Sequence, residues 1–169
     1  VDIPYSVTQT GDQVLKTQIL NDRDAVIFES EIPFTVSYLY AADYGQTLRS
    51  DDEADIWWCP ATHKISQTRP APRKKGNEVA LSAAKGEYEP VQIVLRAKRP
   101  LENISIQVSD LKQSPDTVIA AEHISIKQVE YVYVHAPSDD WGTVGWWPDP
   151  LPPVEDEVDV GEGINTPFW

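Results

Sequence analysis

Short stretches in which apolar and polar residues alternate recur along the 169-residue chain, and almost no stretch shows a sustained period of 3.6 residues. A period of two is typical of strands that bury one face. In the segment 91–95 the apolar residues are expected to face inward, and Gln92 to face solvent. The alternating apolar sets are Phe34, Val36, Tyr38 and Tyr40; Val79 and Leu81; Val91, Ile93 and Leu95; and Ile104, Ile106 and Val108.

Two further stretches leave alternatives open. One contains Val14, Leu15, Ile19 and Leu20, whose spacing fits a short helix or a strand equally well. In the other, residues 124–134, the apolar positions change phase. Either a bulge near residues 127–128 resets the register, or the second half of this strand is buried on both faces.

The expected strands recur about every ten residues and are joined by turns that contain Pro, Asn and Gly. This spacing favours antiparallel pairing, because a parallel sheet needs helical crossovers between its strands. We therefore expect an all-β fold, namely an antiparallel β-sandwich of jelly-roll or immunoglobulin-like type with few or no helices.

The net charge of −13 is unevenly distributed along the chain. Residues 1–63 carry −8 and residues 100–169 carry −11, whereas residues 64–99 carry +6. A field of this sign repels phosphate backbones, which argues against nucleic acid as a partner. No apolar run approaches the roughly 20 residues of a membrane-spanning helix, so no membrane span is expected. The basic residues Arg69, Arg73, Lys74 and Lys75 are expected to form a solvated loop, which could also bind an anion.

The sequence contains no nucleophilic-serine elbow, phosphate-binding glycine loop or zinc-protease motif. Cys59 is the single cysteine, so an internal disulfide is excluded. Beyond a weak calcium site, no cofactor, metal or catalytic residue is expected. A cluster of acidic residues could gather around Ca²⁺ with loop carbonyls, although a solvated acidic loop is the more common outcome. The acidic residues concerned are Asp149, Glu155, Asp156, Glu157 and Asp159.

Residues 136–169 differ from the rest of the chain, since they hold four of the six tryptophans and no Lys or Arg. Trp57 and Trp58 are most simply core residues of a strand. Trp141, Trp146 and Trp147 lie among glycines and prolines, which predicts a loop, and Asp149 follows them. Burying indole rings in a loop needs a partner or a ligand, so these residues are expected to contact a sugar or a neighbouring domain. The alternative is that the loop folds back on its own sandwich.

Residues 79–95, VALSAAKGEYEPVQIVL, resemble the strand–turn–strand signature of the N-terminal β-sandwich of family 123 glycoside hydrolases and related bacterial proteins. The similarity covers residues 56–169. It departs from the family at Gly86, where Asn is usual, and at Pro90 and Val91, where Ser-Phe is usual. Three later features agree with it: the strand-like residues 101–111, the Tyr-Val-Tyr-Val core within residues 129–138, and WPDPLPP at 147–153 followed by NTPFW at 165–169.

The resemblance implies that residues 56–169 are a non-catalytic sandwich module that precedes a catalytic (β/α)₈ barrel in a β-N-acetylgalactosaminidase-like enzyme. Residues 1–55 are a β-rich segment that we cannot place and that could end a preceding module. In such enzymes the substrate acetamido group is the nucleophile and an acidic pair on the barrel assists it. The implied partners are that barrel and carbohydrate, and the implied location is secreted, periplasmic or on the bacterial cell surface. The alternatives are a free-standing carbohydrate-binding module and a structural or surface-interaction domain.

Overall fold

The computed structural model describes residues 10–114, 116–139 and 142–169. The described residues form strands and two single-turn 3₁₀ helices and contain no α-helix, so the prediction of an all-β, antiparallel fold is confirmed. None of their helices is long and apolar enough to span a membrane. The elements are β1 (Gly11–Leu20), β2 (Val26–Val36), η1 (Tyr38–Tyr40), β3 (Gln46–Ser50), β4 (Ala54–Pro60), β5 (Val91–Ala97), β6 (Leu101–Ile104), β7 (Leu111–Ser114), β8 (Thr117–Ile119), η2 (Ala121–His123), β9 (Tyr131–Val134), β10 (Gly145–Pro148), β11 (Val158–Val160) and β12 (Asn165–Phe168).

The centre of the fold is a four-stranded antiparallel sheet in the order β12-β5-β4-β3. Beyond β12 the backbone hydrogen bonding continues into residues 127–130: the Val129 N–H donates to the Pro167 carbonyl at 2.9 Å, and the Glu130 N–H donates to the Pro150 carbonyl at 3.0 Å. Residues 127–130 lead directly into β9, which pairs with β10. The β9–β10 hairpin is thus a separate two-stranded sheet that follows directly on the residues paired with β12.

Within residues 124–134, the segment 127–130 lies between two neighbours and bonds to them alternately. Lys127 and Val129 donate to the carbonyls of Trp169 and Pro167, and Gln128 donates to that of Pro152 on the other side. The β9–β10 pairing itself runs without a register shift. The alternative in which the second half is buried on both faces is wrong, because Val132 and Tyr133 are exposed.

Both faces of the central sheet are covered. On the front face, Trp57, Cys59 and Val94 form a buried cluster with Ile65, which follows β4. The back face is covered by the β6–β11 pair, which gives a two-layer packing compatible with a sandwich. The cluster on that face contains Ala97, Phe168, Val158 and Val160.

The prediction for β5 is wrong for Gln92, which is buried, whereas Leu95 packs against the cluster on the back face as predicted. Gln92 and Val94 are 3% and 0% exposed, whereas Val91, Ile93 and Leu95 are only partly buried. The physical reason is that β5 lies inside the sheet between β4 and β12 with cover on both faces, so alternation no longer separates core from solvent. Gln92 is tolerated there because its amide donates to the carbonyls of Ala61 and His63 at 3.1 and 2.8 Å.

Three other predictions from alternation also change. Residues 77–90, all of which the structure describes, form no strand, so Val79 and Leu81 lie in an irregular segment with residues 80–89 exposed. Tyr38 and Tyr40 do not continue β2, because the Ser37 hydroxyl accepts the Leu39 N–H at 3.4 Å and caps η1. Of the set Ile104, Ile106 and Val108, only Ile104 lies in a strand, β6.

The stretch that fits a helix or a strand equally well from its spacing is a strand. Its residues Val14, Leu15, Ile19 and Leu20 belong to β1.

The hairpin of β1 and β2 has one charged face and one apolar face. Lys16 lies 2.8 Å from Glu29 on the charged face, whereas Ile19 and its cross-strand partner Phe28 are exposed on the other. Further along the segment 1–55, β3 forms the edge of the central sheet. That residues 1–55 end a preceding module stays a prediction.

We expect Gln92→Ala to lower the free energy of unfolding by about 1–3 kcal/mol, since it strips buried carbonyls of their donor. The matched control is Gln113→Ala, because Gln113 is an exposed glutamine on strand β7; it should change the free energy by less than about 0.5 kcal/mol. Urea denaturation measures both. Equal losses in the two variants would contradict the structural role of Gln92.

Candidate functional site

Residues 61–72, which we call the crossover segment, pass over the front face of the central sheet without forming a strand. A segment that pairs with no strand must satisfy its buried backbone groups in another way. Here side chains of the sheet supply the donors. Besides Gln92, the Asn165 amide donates to the carbonyls of Ser66 and Arg69, each at 2.9 Å.

Arg69 is the most buried charge of the crossover segment, with 4% of its surface exposed. Its guanidinium carbon lies 4.2 Å from the ring centre of Tyr44 and 4.5 Å from that of Trp57. One terminal nitrogen donates to the carbonyls of Ala42 and Tyr44 at 3.3 and 3.1 Å. The other, Nη1, has no hydrogen-bond partner among the described residues. Aromatic faces and carbonyl dipoles, rather than a carboxylate, thus stabilise this cation.

The expectation of a solvated basic loop is therefore wrong for Arg69, although Arg73, Lys74 and Lys75 are exposed as expected. Arg69 differs from them because it follows Ile65 of the front cluster closely in sequence, and because two aromatic rings flank its guanidinium. A charge run read from sequence does not reveal this difference.

Tyr44 also stacks against His63. We call the four side chains Arg69, Trp57, Tyr44 and His63 the stack. The Tyr44 ring lies nearly parallel to that of His63, with 3.9 Å between the ring centres, and its hydroxyl donates to the Lys64 carbonyl at 2.7 Å. Burial raises the pKa of Tyr44 to about 12. The pKa of His63 is lowered, mainly by burial and then by the charge of Arg69. The stack therefore favours a neutral imidazole and a protonated phenol.

The crossover segment is also tied to the β9–β10 hairpin. The Tyr131 hydroxyl on β9 donates to the Ile65 carbonyl at 2.9 Å, and the Lys64 ammonium donates to the Pro148 carbonyl on β10 at 3.0 Å. Burial raises the pKa of Tyr131, so its hydroxyl remains a donor. These two bonds hold one end of the hairpin against the front face.

The free end of the same hairpin carries an aromatic patch of Tyr133, His135 and Trp146. Tyr133 and Trp146 are direct cross-strand partners, and their rings meet edge to face with 5.4 Å between centres. The Tyr133 and His135 ring centres are 4.8 Å apart. Trp146 is 50% and Tyr133 44% exposed. The hairpin thus presents apolar ring surface to solvent from a fixed backbone.

The tryptophans predicted from sequence have different places. Trp146 and Trp147 lie on strand β10 and not in a loop, because β10 pairs with β9. Trp147 is half-buried, and its indole N–H donates to the Thr143 carbonyl at 2.7 Å. Trp141 lies outside the described residues. Asp149 is exposed, with its carboxylate 3.7 Å from the Lys64 ammonium.

The acidic residues proposed for calcium are only partly brought together. Glu155, Glu157 and Asp159 line a cavity of about 460 Å³, and Asp149 and Asp156 are not among its lining residues. The Asp159 carboxylate accepts the Asn103 N–H at 3.1 Å. Within the described ranges, no three His, Cys, Asp or Glu side chains are placed to share a metal ion. The calcium site stays a prediction.

Sequence reasoning missed two members of the aromatic patch, Tyr133 and His135. The available signal is the alternation of Tyr131, Tyr133 and His135 in the sequence, which in an extended backbone places the three rings on one face. The valines between these aromatic residues obscure the alternation, because they predict a strand that is buried on both faces. The buried partners of the crossover segment left no pattern in the sequence, since each comes from a different element.

The fold and the patch together define an all-β module with an exposed aromatic surface. A family model of the glycoside hydrolase 123 N-terminal domain matches residues 58–146, just over half of the chain. The chain belongs to this family, as the resemblance at residues 79–95 predicts. Membership suggests a non-catalytic module of a glycoside hydrolase, with a catalytic domain as its partner. No curated protein matches the chain.

The stack predicts a pH dependence of stability. Because the pKa of folded His63 is below its ordinary value of 6.5, the unfolded chain binds the proton more readily. The contribution of His63 to the free energy of unfolding is therefore complete above pH 6.5 and falls as the pH drops below it. We expect His63→Gln to lose less stability than the wild type between about pH 7.5 and pH 5.5 in urea denaturation.

The exposed His123 on η2 provides the control variant, His123→Gln. This comparison separates His63 from the carboxylates that also titrate at low pH. If the free energy of unfolding of His63→Gln falls with pH as steeply as that of the wild type, the role assigned to the stack is contradicted.

Proposed function

We propose that this chain is a non-catalytic β-sandwich module of a glycoside hydrolase that acts on N-acetylhexosamine-containing glycans, such as β-linked N-acetylgalactosamine, and that the aromatic patch contacts carbohydrate beside the substrate cleft. The observation that carries the proposal is the half-exposed Trp146 ring on a strand anchored to the core. The family membership supports the enzyme class. The glycan and the cleft are our inference.

The physical basis is that a pyranose ring offers apolar C–H groups on its faces and hydroxyls around its rim. An exposed indole matches such a face, because it offers a large apolar surface with one polar edge. Tyr133 packs edge to face against Trp146 and limits its rotation, so little side-chain entropy is lost on binding. A neutral sugar also avoids the repulsion that the net charge of −13 imposes on anionic ligands.

A second candidate is docking of the catalytic domain on the hairpin. Val132 lies on the face of β9 opposite to Tyr133 and is also exposed, so the hairpin offers apolar surface on both sides. In this case the module supports the cleft without touching the sugar. A free-standing carbohydrate-binding module, by contrast, would bind glycans through the aromatic face with no other domain present.

Trp146→Ala distinguishes these functions in the intact enzyme. If the ring contacts substrate, we expect KM to rise about tenfold with kcat nearly unchanged, which is the mark of lost uniform binding. If the ring serves docking, the melting temperature should fall instead. Steady-state kinetics and thermal denaturation measure the two quantities.

Tyr88→Ala is the control, because Tyr88 is an exposed aromatic residue of the irregular segment before β5 and is 92% exposed. It should leave both quantities unchanged. If Trp146→Ala behaves like this control in both assays, neither role of the patch is correct.

A further inference from the structure

The apolar face of the β1–β2 hairpin lies outside the family-matched residues 58–146. Alternate residues of a strand point to the same face, so the pairing register shows which side chains share it. Its members are Leu15 opposite Ile32 and Ile19 opposite Phe28, with the small polar pair Thr17 and Ser30 between them and Phe34 beyond Ile32. Five apolar side chains are thus collected on one side of the hairpin.

The described residues leave most of this apolar face uncovered. Among them, β1 and β2 pair only with each other. Ile19, Phe28 and Ile32 are each more than half exposed. Leu15 and Phe34, which lie nearer the base of the hairpin, are partly buried. Because an isolated two-stranded hairpin is only marginally stable in water, this face needs a partner surface.

The size of the apolar face indicates which partner fits. With these exposed fractions, its five apolar side chains offer roughly 350 Å² of apolar surface. A second copy seated on it would bury about 700 Å² in total, whereas specific stable complexes bury at least about 1,200 Å². Two copies would also repel each other, since each carries a net charge of −13. Interfaces between domains of one chain begin at about 600 Å², because covalent linkage keeps the partner at a high effective concentration.

We propose that the catalytic domain of the same polypeptide docks on the apolar face of the β1–β2 hairpin through an apolar surface of its own. Membership of the family suggests this partner, so the inference rests on the proposed function in so far as the chain is a module of a glycoside hydrolase. It does not need the aromatic patch to contact sugar. The charged face, where the Lys16 ammonium lies 2.8 Å from the Glu29 carboxylate, stays in water.

Hydrogen exchange of the intact enzyme, compared with that of the 169-residue chain alone, tests the proposal. Docking holds the hairpin closed, so the amides of β1 and β2 should exchange at least about tenfold more slowly in the enzyme. Sedimentation velocity should show that the chain alone is a monomer. Equal exchange of these amides in the two proteins would overturn the proposal, and so would a dimer of the chain alone that Phe28→Ser dissociates.

Phe28→Ser removes an exposed ring from the centre of the expected contact. In the intact enzyme it should return the amides of β1 and β2 to the exchange rates of the chain alone. Val14→Ser is the matched control, because Val14 is a similarly exposed apolar residue on the charged face of the same hairpin, and it should keep the slow exchange. In the chain alone, both variants should exchange within about twofold of the wild type. If Phe28→Ser speeds exchange there as much as in the enzyme, its role is structural and the docking is overturned.

The outcomes also separate docking from sugar contact. If the hairpin amides slow in the enzyme while Trp146→Ala leaves KM and the melting temperature unchanged, the docking stands and the roles proposed for the aromatic patch are wrong. If Trp146→Ala raises KM while the hairpin amides exchange equally in the two proteins, the sugar contact stands and the docking is wrong.

Discussion

The front of the molecule depends on the contacts that the buried Arg69 guanidinium makes with aromatic rings and backbone carbonyls. Taking a charge out of water without a carboxylate partner costs several kcal/mol unless other groups replace the lost hydration. Tyr44 and Trp57 do so with their ring faces, and the carbonyls of residues 42 and 44 accept its N–H groups. Arg69 can occupy this place only when the crossover segment, β4 and the segment before β3 are all in their folded positions.

The same segment connects the core to the candidate binding surface. Its carbonyls accept hydrogen bonds from Gln92 on β5, Asn165 on β12 and Tyr131 on β9, so side chains of three strands bind this irregular segment. Lys64 adds a bond to β10. The hairpin that presents Trp146 is therefore fixed at its base by polar contacts, which suits a surface that must meet a ligand without moving.

The all-β class and the family can be predicted from the sequence. Neither the alternation of apolar and polar residues nor the order of the segments depends on how the strands pair. The prediction fails at β5, where cover on both faces puts Gln92 inside and leaves Ile93 half-exposed. It places Trp146 in a loop because glycines and prolines surround it, although pairing with β9 makes it part of a strand. The contact between the Arg69 guanidinium and the Tyr44 ring leaves no local pattern in the sequence, since it joins residues far apart in the chain.

Hydrogen exchange of Arg69→Ala tests the central claim most directly, with the exposed Arg73→Ala as control. If Arg69 holds the crossover segment, its loss should lower the free energy of unfolding by roughly 3 kcal/mol. Amides of residues 61–72 and of the β9–β10 hairpin should then exchange faster than in the control. Amides of β6 and β11 should exchange faster only to the extent that the lower global stability explains. An exchange pattern and a stability equal to those of Arg73→Ala would contradict the account.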